Sequence, residues 1–396
     1  MNQNAFPTCN GPLRSALAPK AYQLGLTAVQ SMAKQPGSIA DRVAESRNFL
    51  TSPVCLNMAL VTAAAGAAGH TLDDILDVLC VSHKANLREI SDTIAAISDG
   101  VSTATRAVSQ RGLPLQRGFA ATMATLGGTM HHVNFADTEK ARHNLDNWVY
   151  RNTKGLIPTS GITVTADTVI VLQSVMALTA SWEEPFPVNN TEDTDFFLMS
   201  GERSRCRMMS LTHNLLYGEY EGWRATTLPY VGGVSCDIIV PPEGASPLKA
   251  TPGIIIGALQ AVKESSRLPL TVKLPRIHTS SSDSLRSSLG CMGLASLFEN
   301  ADFSAMSPQV KGIDDYVQQV ILDVDEHGTQ AAAAVEMMSF TSARIGARTP
   351  HPPLTCDHPF LLVIRDETTD VPVYMGAIHK PDNSEPDNNE PDNGAA

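Results

Sequence analysis

Apolar residues recur every three or four positions in the first part of the chain and every second position nearer its end. The spacing between Tyr22 and Ala33 predicts a helix with one buried face. The alternation from Leu268 to Leu274 predicts a strand with one apolar face. Because the predicted helices cluster early and the predicted strands cluster late, the pattern favours an α+β fold over regular alternation of the two.

Local signals predict further elements. Ser52 and Pro53 are the residue types of a helix N-cap and a first helical position, and Thr71 with Asp74 resembles a capping box. The run from Asp167 to Ala177 is almost wholly apolar, which predicts a central strand buried on both faces. Other helices are predicted near 87–97, 145–150 and 283–297, and other strands at 234–240, 360–364 and 373–378.

The stretch from Glu326 to Arg348 follows a strand pattern and stops before a segment broken by prolines. Its first part contains small or uncharged residues, namely Gly328, Thr329, Gln330, Ala331, Ala332, Ala333 and Ala334. If the stretch is extended, its side chains alternate between two faces, and the long polar Gln330 and Glu336 fall on the same face. From the residues alone, it is either a flexible linker or a loop that can become a half-buried strand.

Composition limits the class of protein. The 396 residues are 43% hydrophobic, which is enough for one large domain or two smaller ones. The net charge of −12, without a cluster of Lys and Arg, argues against nucleic acid or an anionic membrane as the main partner. After Pro381 the triplet Pro-Asp-Asn recurs without apolar residues to anchor it, which predicts a disordered tail over 382–396.

The cysteines and the N-terminus bear on location. Seven cysteines are odd in number and widely scattered, which favours reduced thiols over a disulfide framework. No basic segment is followed by an apolar run near the start, and no apolar run is long enough to span a bilayer. We therefore expect a cytoplasmic or nucleocytoplasmic protein, with leaderless release from the cell as the alternative.

A search for catalytic and metal-binding motifs finds none of the common ones. The chain lacks a phosphate loop, a dinucleotide fingerprint, a CxxC pair and an HExxH helix. His131 and His132 are adjacent, so their side chains diverge in either regular structure, and the segment from Gly233 to Asp237 lacks the second glycine of a nucleophile elbow. We expect no enzyme activity, no metal and no cofactor.

Six motifs, in family order, resemble those of the serpins. They are NFLTSPVCLNMALVTAAAGAAGHTLDDI from Asn48, NWVYRNTKGLI from Asn147, LPY from Leu228, LPRI from Leu274, LFENADFSAMS from Leu297, and DHPFLLVIRDETTDVPVYMGAIHKP from Asp357. The match extends from about Leu17 to Pro381, and the last motif is especially similar to plant serpins. Each motif is weak by itself, but six in the same order form a specific signal.

The resemblance implies one serpin domain over 1–381, with three β-sheets, about nine helices and an exposed reactive loop at about 326–350. In serpins a protease cleaves this loop, the freed segment inserts into the largest sheet, and the protease is trapped as a distorted acyl-enzyme; such insertion is an established example of strand addition. The implied hinge comprises Glu326, Gly328, Thr329, Gln330, Ala331, Ala332, Ala333 and Ala334. Counting from Glu326 places the cut between Ser342 and Ala343, with Arg344-Ile345 as the alternative for a trypsin-like protease.

The resemblance also implies a gate where the sheet opens, next to Ser52. Family members usually place an Asn, a His and a Ser there, and the matching positions in this chain are Ser174, Gln318 and Cys55. Because glutamine can both donate and accept hydrogen bonds, one interpretation is a compensated network. The other is loss of the inhibitory movement.

The sequence thus predicts a plant-like serpin that traps a serine protease, with a cysteine protease as the second target class. We expect a monomer with no nucleic-acid or membrane partner. The alternative is a non-inhibitory serpin that serves as a binding or storage protein or is cleaved as a simple substrate. The motifs do not identify the target protease.

Overall fold

A computed structural model describes residues 13–33, 47–97, 101–329 and 351–381. In these ranges the chain forms eight α-helices: α1 Leu13–Met32, α2 Pro53–Gly66, α3 Gly69–Leu79, α4 Leu87–Ala95, α5 Phe119–Thr125, α6 Thr138–Asn152, α7 Pro252–Glu264 and α8 Arg286–Cys291. The predicted tail and most of the predicted reactive loop lie outside the described residues, so the proposed domain boundary stays a prediction.

The described residues also form seventeen strands: β1 Phe49–Thr51, β2 Val101–Gln110, β3 Thr129–Val133, β4 Ile170–Leu178, β5 Ala180–Ser181, β6 Glu192–Phe197, β7 Arg203–Leu215, β8 Tyr217–Tyr220, β9 Trp223–Pro229, β10 Val234–Val240, β11 Leu268–Pro275, β12 Ile277–Ser284, β13 Asp315–Val324, β14 Gly328–Thr329, β15 Leu354–Thr355, β16 Phe360–Asp366 and β17 Pro372–Ile378.

The strands build three sheets. A six-stranded sheet has the order β1-β17-β16-β10-β9-β8, and a four-stranded sheet has the order β15-β11-β7-β6. The seven-stranded main sheet has the order β3-β2-β4-β13-β14-β5, and β12 pairs with the other edge of β13. Three sheets with eight helices in the described residues confirm the predicted α+β class and its three-sheet architecture.

Helix α2 runs through the centre of the core. Ser52 caps it by accepting a hydrogen bond from the backbone N–H of Cys55, and Pro53 starts it, as the sequence predicts. All fourteen residues of the helix are buried. Its position beneath the main sheet places Ser52 and Cys55 directly behind β4 and β13.

Helix α6 covers the outer face of the main sheet. Leu145 packs with Val171 of β4 and Val317 of β13. Beneath this helix lies Arg106, which is 2% exposed, donates to the side chain of Gln173 at 2.8 Å and stacks its guanidinium 4.6 Å from the Trp148 ring. Burial lowers the pKa of Arg106 to about 9.

The structure corrects three expectations from the sequence. Asp283 and Ser284 belong to strand β12 and not to a helix, because both pair with β13. Thr71 does not cap α3, which begins at Gly69; its hydroxyl accepts a hydrogen bond from the backbone N–H of Asp302 instead. Cys80 is disulfide-bonded, so the expectation of reduced thiols throughout is wrong at that residue.

Candidate functional site: the hinge and gate of the main sheet

The boundary between β4 and β13, here called the seam, has a closed part and an occupied part. The two strands are parallel neighbours from the pair Asp315 and Val171 to the pair Val320 and Met176. Past that point β14 lies between the two sides of the seam, where Thr329 pairs with Val324 of β13 and Gly328 pairs with Ser181 of β5. The first two small residues of the predicted hinge are therefore already a strand of the main sheet.

Close backbone packing explains why a glycine begins β14. A Cβ added to Gly328 would overlap the carbonyl oxygen of Ala180. The turn before it is fixed by Asp325, whose side chain accepts hydrogen bonds from the backbone N–H groups of His327 (2.7 Å) and Gly328 (3.1 Å). Any larger residue at position 328 would push β14 away from β5.

Thr329 is fully buried beside an aromatic pair. Its hydroxyl oxygen lies 2.5 Å from the hydroxyl oxygen of Tyr230. The Tyr230 ring stacks on Trp182 with centroids 4.1 Å apart, and Trp182 donates from its ring nitrogen to the carbonyl oxygen of Asp325 at 2.9 Å. These contacts hold both ends of the turn that leads into β14.

Glu326, the first residue of the predicted hinge, is 2% exposed and takes part in an ion pair with the partly exposed Arg276. Arg276 donates to it from two nitrogens at 2.9–3.0 Å, and the hydroxyl of Thr191 donates at 2.5 Å. Burial by itself raises the pKa of Glu326, but the hydrogen bonds from Arg276 and Thr191 outweigh it and leave that pKa below its usual value. The carboxylate is therefore charged and fixed at neutral pH.

The gate residues Ser52, Cys55, Ser174 and Gln318 are all buried and lie close together. The side chain of Gln318 makes three hydrogen bonds: its oxygen accepts from the Thr51 hydroxyl (2.8 Å) and from the backbone N–H of Ser52 (2.9 Å), and its nitrogen donates to the carbonyl oxygen of Ser52 (2.9 Å). Both polar ends of the glutamine are thus satisfied, which uses its ability to donate and accept at once.

Cys55 contributes a buried thiol to the gate. Its sulfur donates to the carbonyl oxygen of Val175 at 3.4 Å. Burial raises the pKa of the Cys55 thiol to about 12, so the group stays protonated at neutral pH. Because the thiolate is the reactive form of cysteine, Cys55 is a packing residue with no nucleophilic character.

Ser174 is joined to the gate by a residue that the sequence analysis missed. The hydroxyl of Tyr316 on β13 donates to the carbonyl oxygen of Cys55 (3.2 Å) and lies within hydrogen-bond distance of the hydroxyl of Ser174 on β4 (3.3 Å). Ser174 also lies 3.2 Å from the hydroxyl of Thr105. A tyrosine inside the predicted strand that ends at Asp325 was the available signal, since a buried tyrosine hydroxyl usually has a hydrogen-bond partner.

Several predicted site residues lie outside the described part of the chain. They are Gln330, Ala331, Ala332, Ala333, Ala334, Ser342, Ala343, Arg344 and Ile345. The position of the cleaved bond therefore stays a prediction. Within the described ranges, Arg276 and Tyr230 are further residues of the hinge end that the sequence analysis left without a role.

Other candidate chemistry is sparse in the described residues. His132 lies 2.9 Å from the hydroxyl of Ser109 on neighbouring strands β3 and β2, and His131 precedes it on β3. No group of three or more His, Cys, Asp or Glu in the described ranges could hold a metal ion. Among the described helices, none has the length and apolar character needed to cross a membrane.

The described residues form a three-sheet α+β fold. Its largest sheet already contains Gly328 and Thr329, the start of the predicted reactive loop. The family model described as Serpin (serine protease inhibitor) matches residues 29–381. This chain belongs to the serpin family.

Relatives and solved structures agree with this assignment. Plasminogen activator inhibitor 1 from Neovison vison is 30% identical over 362 residues, which are 86% of this chain and 89% of the relative. The crystal structure of human glycosylated kallistatin superimposes with a TM-score of 0.78 at 23% identity, covering 94% of this chain and 99% of that one. Mouse protein-Z dependent protease inhibitor gives a TM-score of 0.77 at 20% identity, covering 93% and 99%.

Proposed function

We propose that this serpin inhibits serine proteases by cleavage of its reactive loop and insertion of the freed segment into the main sheet. The observation that carries the proposal is β14. Its residue Thr329 faces Val324 and Ala180, which are 144 positions apart (324 − 180), and Asp315 faces Val171, also 144 positions apart (315 − 171). An inserted strand that continues β14 therefore meets the seam in register, without a slip of either neighbour.

The proposed cleaved bond is Ser342–Ala343, thirteen residues after Thr329 (342 − 329). Serine at this position suits a protease with a small or permissive pocket. Cleavage at Arg344–Ile345 would instead suit a trypsin-like enzyme. Cysteine proteases are the second proposed target class, since they also form acyl-enzymes on their nucleophile.

Mixing the protein with trypsin-, elastase- and subtilisin-like proteases tests the function. We expect at least one protease to form a complex that survives SDS, and mass spectrometry of the released peptide identifies the cut. We also expect cleavage of the loop to raise the melting temperature, because insertion adds a strand to the main sheet. If every active protease only cleaves the loop and no complex or rise in melting temperature follows, the protein is a substrate or binding protein.

Three finer proposals accompany this function. We propose a monomer, which size-exclusion chromatography with light scattering can test. The terminal motif from Asp357 to Pro381 supports a closer relation to plant serpins, which a phylogeny of the family can test. The cytoplasmic or nucleocytoplasmic location is the proposal from the sequence, but the disulfide at Cys80 favours an oxidising compartment instead. Fractionation of the source cells distinguishes the two.

A further inference from the structure

One acidic residue closes the end of the seam that lies farthest from β14. Asp314 precedes β13, and its carboxylate oxygen Oδ2 accepts hydrogen bonds from the backbone N–H groups of Val169 and Ile170, both at 2.8 Å. The backbone N–H of Asp314 also donates to the carbonyl oxygen of Ile170 at 3.0 Å. We call these three hydrogen bonds the clasp; all of them cross the seam from one residue.

The clasp differs from the backbone ladder above it. When a strand inserts, the ladder bonds between β4 and β13 can be replaced by ladder bonds to the new strand. The carboxylate bonds cannot be replaced in this way, because neighbouring strands stand about 4.8 Å apart and a strand between Asp314 and Ile170 moves them beyond hydrogen-bond distance. Full insertion must therefore break the clasp.

The register shows which inserted residue reaches the clasp. Thr329 faces Val324 and Ala180, and each further residue of an antiparallel strand moves one position back along both neighbours. Ten residues further along the strand is position 339 (329 + 10), which faces Asp314 (324 − 10) and Ile170 (180 − 10). This position is three residues before the proposed cleaved bond.

We propose that Asp314 is a positioning residue for inhibition, which holds the far end of the seam closed and makes the last step of insertion slow. This inference rests on the proposed function. The inserting strand can extend down the seam as far as position 337 while the clasp stays intact. Insertion of position 339 requires that the hydrogen bonds of the clasp break. Because insertion competes with completion of cleavage, the clasp sets the fraction of loop cleavages that end in a trapped protease.

A matched pair of variants tests the clasp itself. Asp314→Asn weakens the bonds to Val169 and Ile170, since an amide oxygen is a poorer acceptor than a carboxylate. The control is Asp315→Asn, because the Asp315 side chain accepts from the Ser284 hydroxyl (2.8 Å) and from the backbone N–H of Tyr316 (2.8 Å) and does not cross the seam. We expect hydrogen exchange at residues 169–172 to accelerate several-fold in Asp314→Asn and to be unchanged in Asp315→Asn. Equal exchange in the two variants would overturn the clasp.

Two labelled peptides test the depth at which the clasp acts. One has the sequence of residues 330–337 and stops short of Asp314; the other has the sequence of residues 330–341 and passes it. We expect the native protein to take up the longer peptide several-fold more slowly than the shorter one. Asp314→Asn should remove that difference and Asp315→Asn should keep it. Equal uptake of the two peptides by the unmodified protein would overturn the depth assignment.

The outcomes separate this inference from the proposed function. If neither peptide binds and cleavage of the loop does not raise the melting temperature, insertion fails and the role of Asp314 in inhibition fails with it. If both peptides bind and SDS-stable complexes form, but Asp314→Asn changes neither uptake nor the ratio of complex to cleaved protein, only the role of Asp314 is overturned.

Discussion

The hinge end and the gate of the main sheet hold their strands by different means. At the hinge end, an ion pair between Glu326 and Arg276 and a stack of Trp182 on Tyr230 fix β14 between its neighbours. At the gate the contacts are hydrogen bonds between neutral groups. The hinge end depends on one buried charge and its partner, whereas the gate spreads its bonds over several uncharged groups.

The gate hydrogen bonds differ in whether they cross the seam between β4 and β13. The three hydrogen bonds of Gln318 join β13 to Thr51 and Ser52 behind the sheet, so separation of β4 from β13 does not break them. Among the described gate contacts, the bond from Tyr316 to Ser174 does cross the seam. This arrangement supports the compensated network over loss of movement, because the changed residues are hydrogen-bonded and only one of these gate bonds, from Tyr316 to Ser174, must break when the seam opens.

The largest expected effect is at Thr329. Thr329→Arg would bury a guanidinium without a carboxylate partner beside Tyr230, which costs several kcal/mol unless β14 leaves the sheet. We expect loss of SDS-stable complexes, with the loop still cleaved. Thr329→Ser is the control and should keep inhibition, since it retains the hydroxyl. Unchanged complex formation by Thr329→Arg would show that β14 is not the start of insertion.

The second-largest effect is expected when the ion pair between Arg276 and Glu326 is removed. Arg276→Ala leaves the Glu326 carboxylate buried with Thr191 as its side-chain donor, and we expect a loss of about 2 kcal/mol in the free energy of unfolding at pH 7, less than for a fully buried pair because Arg276 is partly exposed. Arg203→Ala, which removes an exposed pair with Asp195, should change it by less than about 0.5 kcal/mol. Denaturant unfolding measures both.

The same pair predicts a pH dependence. Because the folded pKa of Glu326 is lowered, the stabilisation is complete above the unfolded pKa of 4.5 and is lost as the pH falls through the folded pKa. The difference in melting temperature between Arg276→Ala and the unmodified protein should therefore be constant from pH 6 to 8 and shrink below about pH 4.5. A constant difference down to pH 3 would argue against a charged Glu326.

A smaller effect is expected at the gate. Gln318→Ala removes three hydrogen bonds and takes away the side-chain acceptor of the buried Ser52 N–H, while the Ser52 carbonyl keeps its bond from the backbone N–H of Leu56. The change should lower the free energy of unfolding by about 1–3 kcal/mol. Gln260→Ala removes an exposed glutamine on α7 and should change it by no more than about 0.5 kcal/mol. If the two variants are equally stable, the gate network contributes nothing.

The smallest loss of stability is expected for Tyr316→Phe, and this variant should show the clearest change in the rate of peptide uptake. Tyr316→Phe keeps the ring and removes the bond across the seam, at a cost of about 1 kcal/mol. Tyr374→Phe removes a similarly buried hydroxyl that donates to Ile321 and does not cross the seam. We expect similar losses of stability but faster peptide uptake in Tyr316→Phe alone. Equal uptake rates would show that the Tyr316 bond does not restrain the seam.

The sequence predicted elements well where one pattern decided the structure. The alternation from Leu268 to Leu274 lies within β11, and the predicted strand at 234–240 matches β10. Strand β2 was missed because polar residues such as Thr105 and Arg106 break its apolar pattern. Their burial depends on partners far along the chain, Ser174 and Gln173, which no local pattern reveals.

The sequence predicted which residues form the site better than it predicted the contacts between them. The family motifs pointed to Ser52, Cys55, Ser174 and Gln318, and the structure brings these four together. The pattern could not show that Tyr316 joins Ser174 to Cys55, since that contact depends on how two strands and a helix pack. Nor could it show that Gly328 and Thr329 are already in the sheet.

The position of β14 fixes one end of the loop, and β15 fixes the other. Twenty-four residues separate Thr329 of β14 from Leu354 of β15 (354 − 329 − 1), so the segment between them is tied at one end to the main sheet and at the other to β11. While that segment is uncut, each residue drawn into the seam shortens the remainder between its two fixed ends, which costs chain entropy. A single cut releases one end, and that entropic cost disappears. Cleavage by the protease would thus remove the restraint at one end of the loop, and pairing with the main sheet would supply the free energy of insertion.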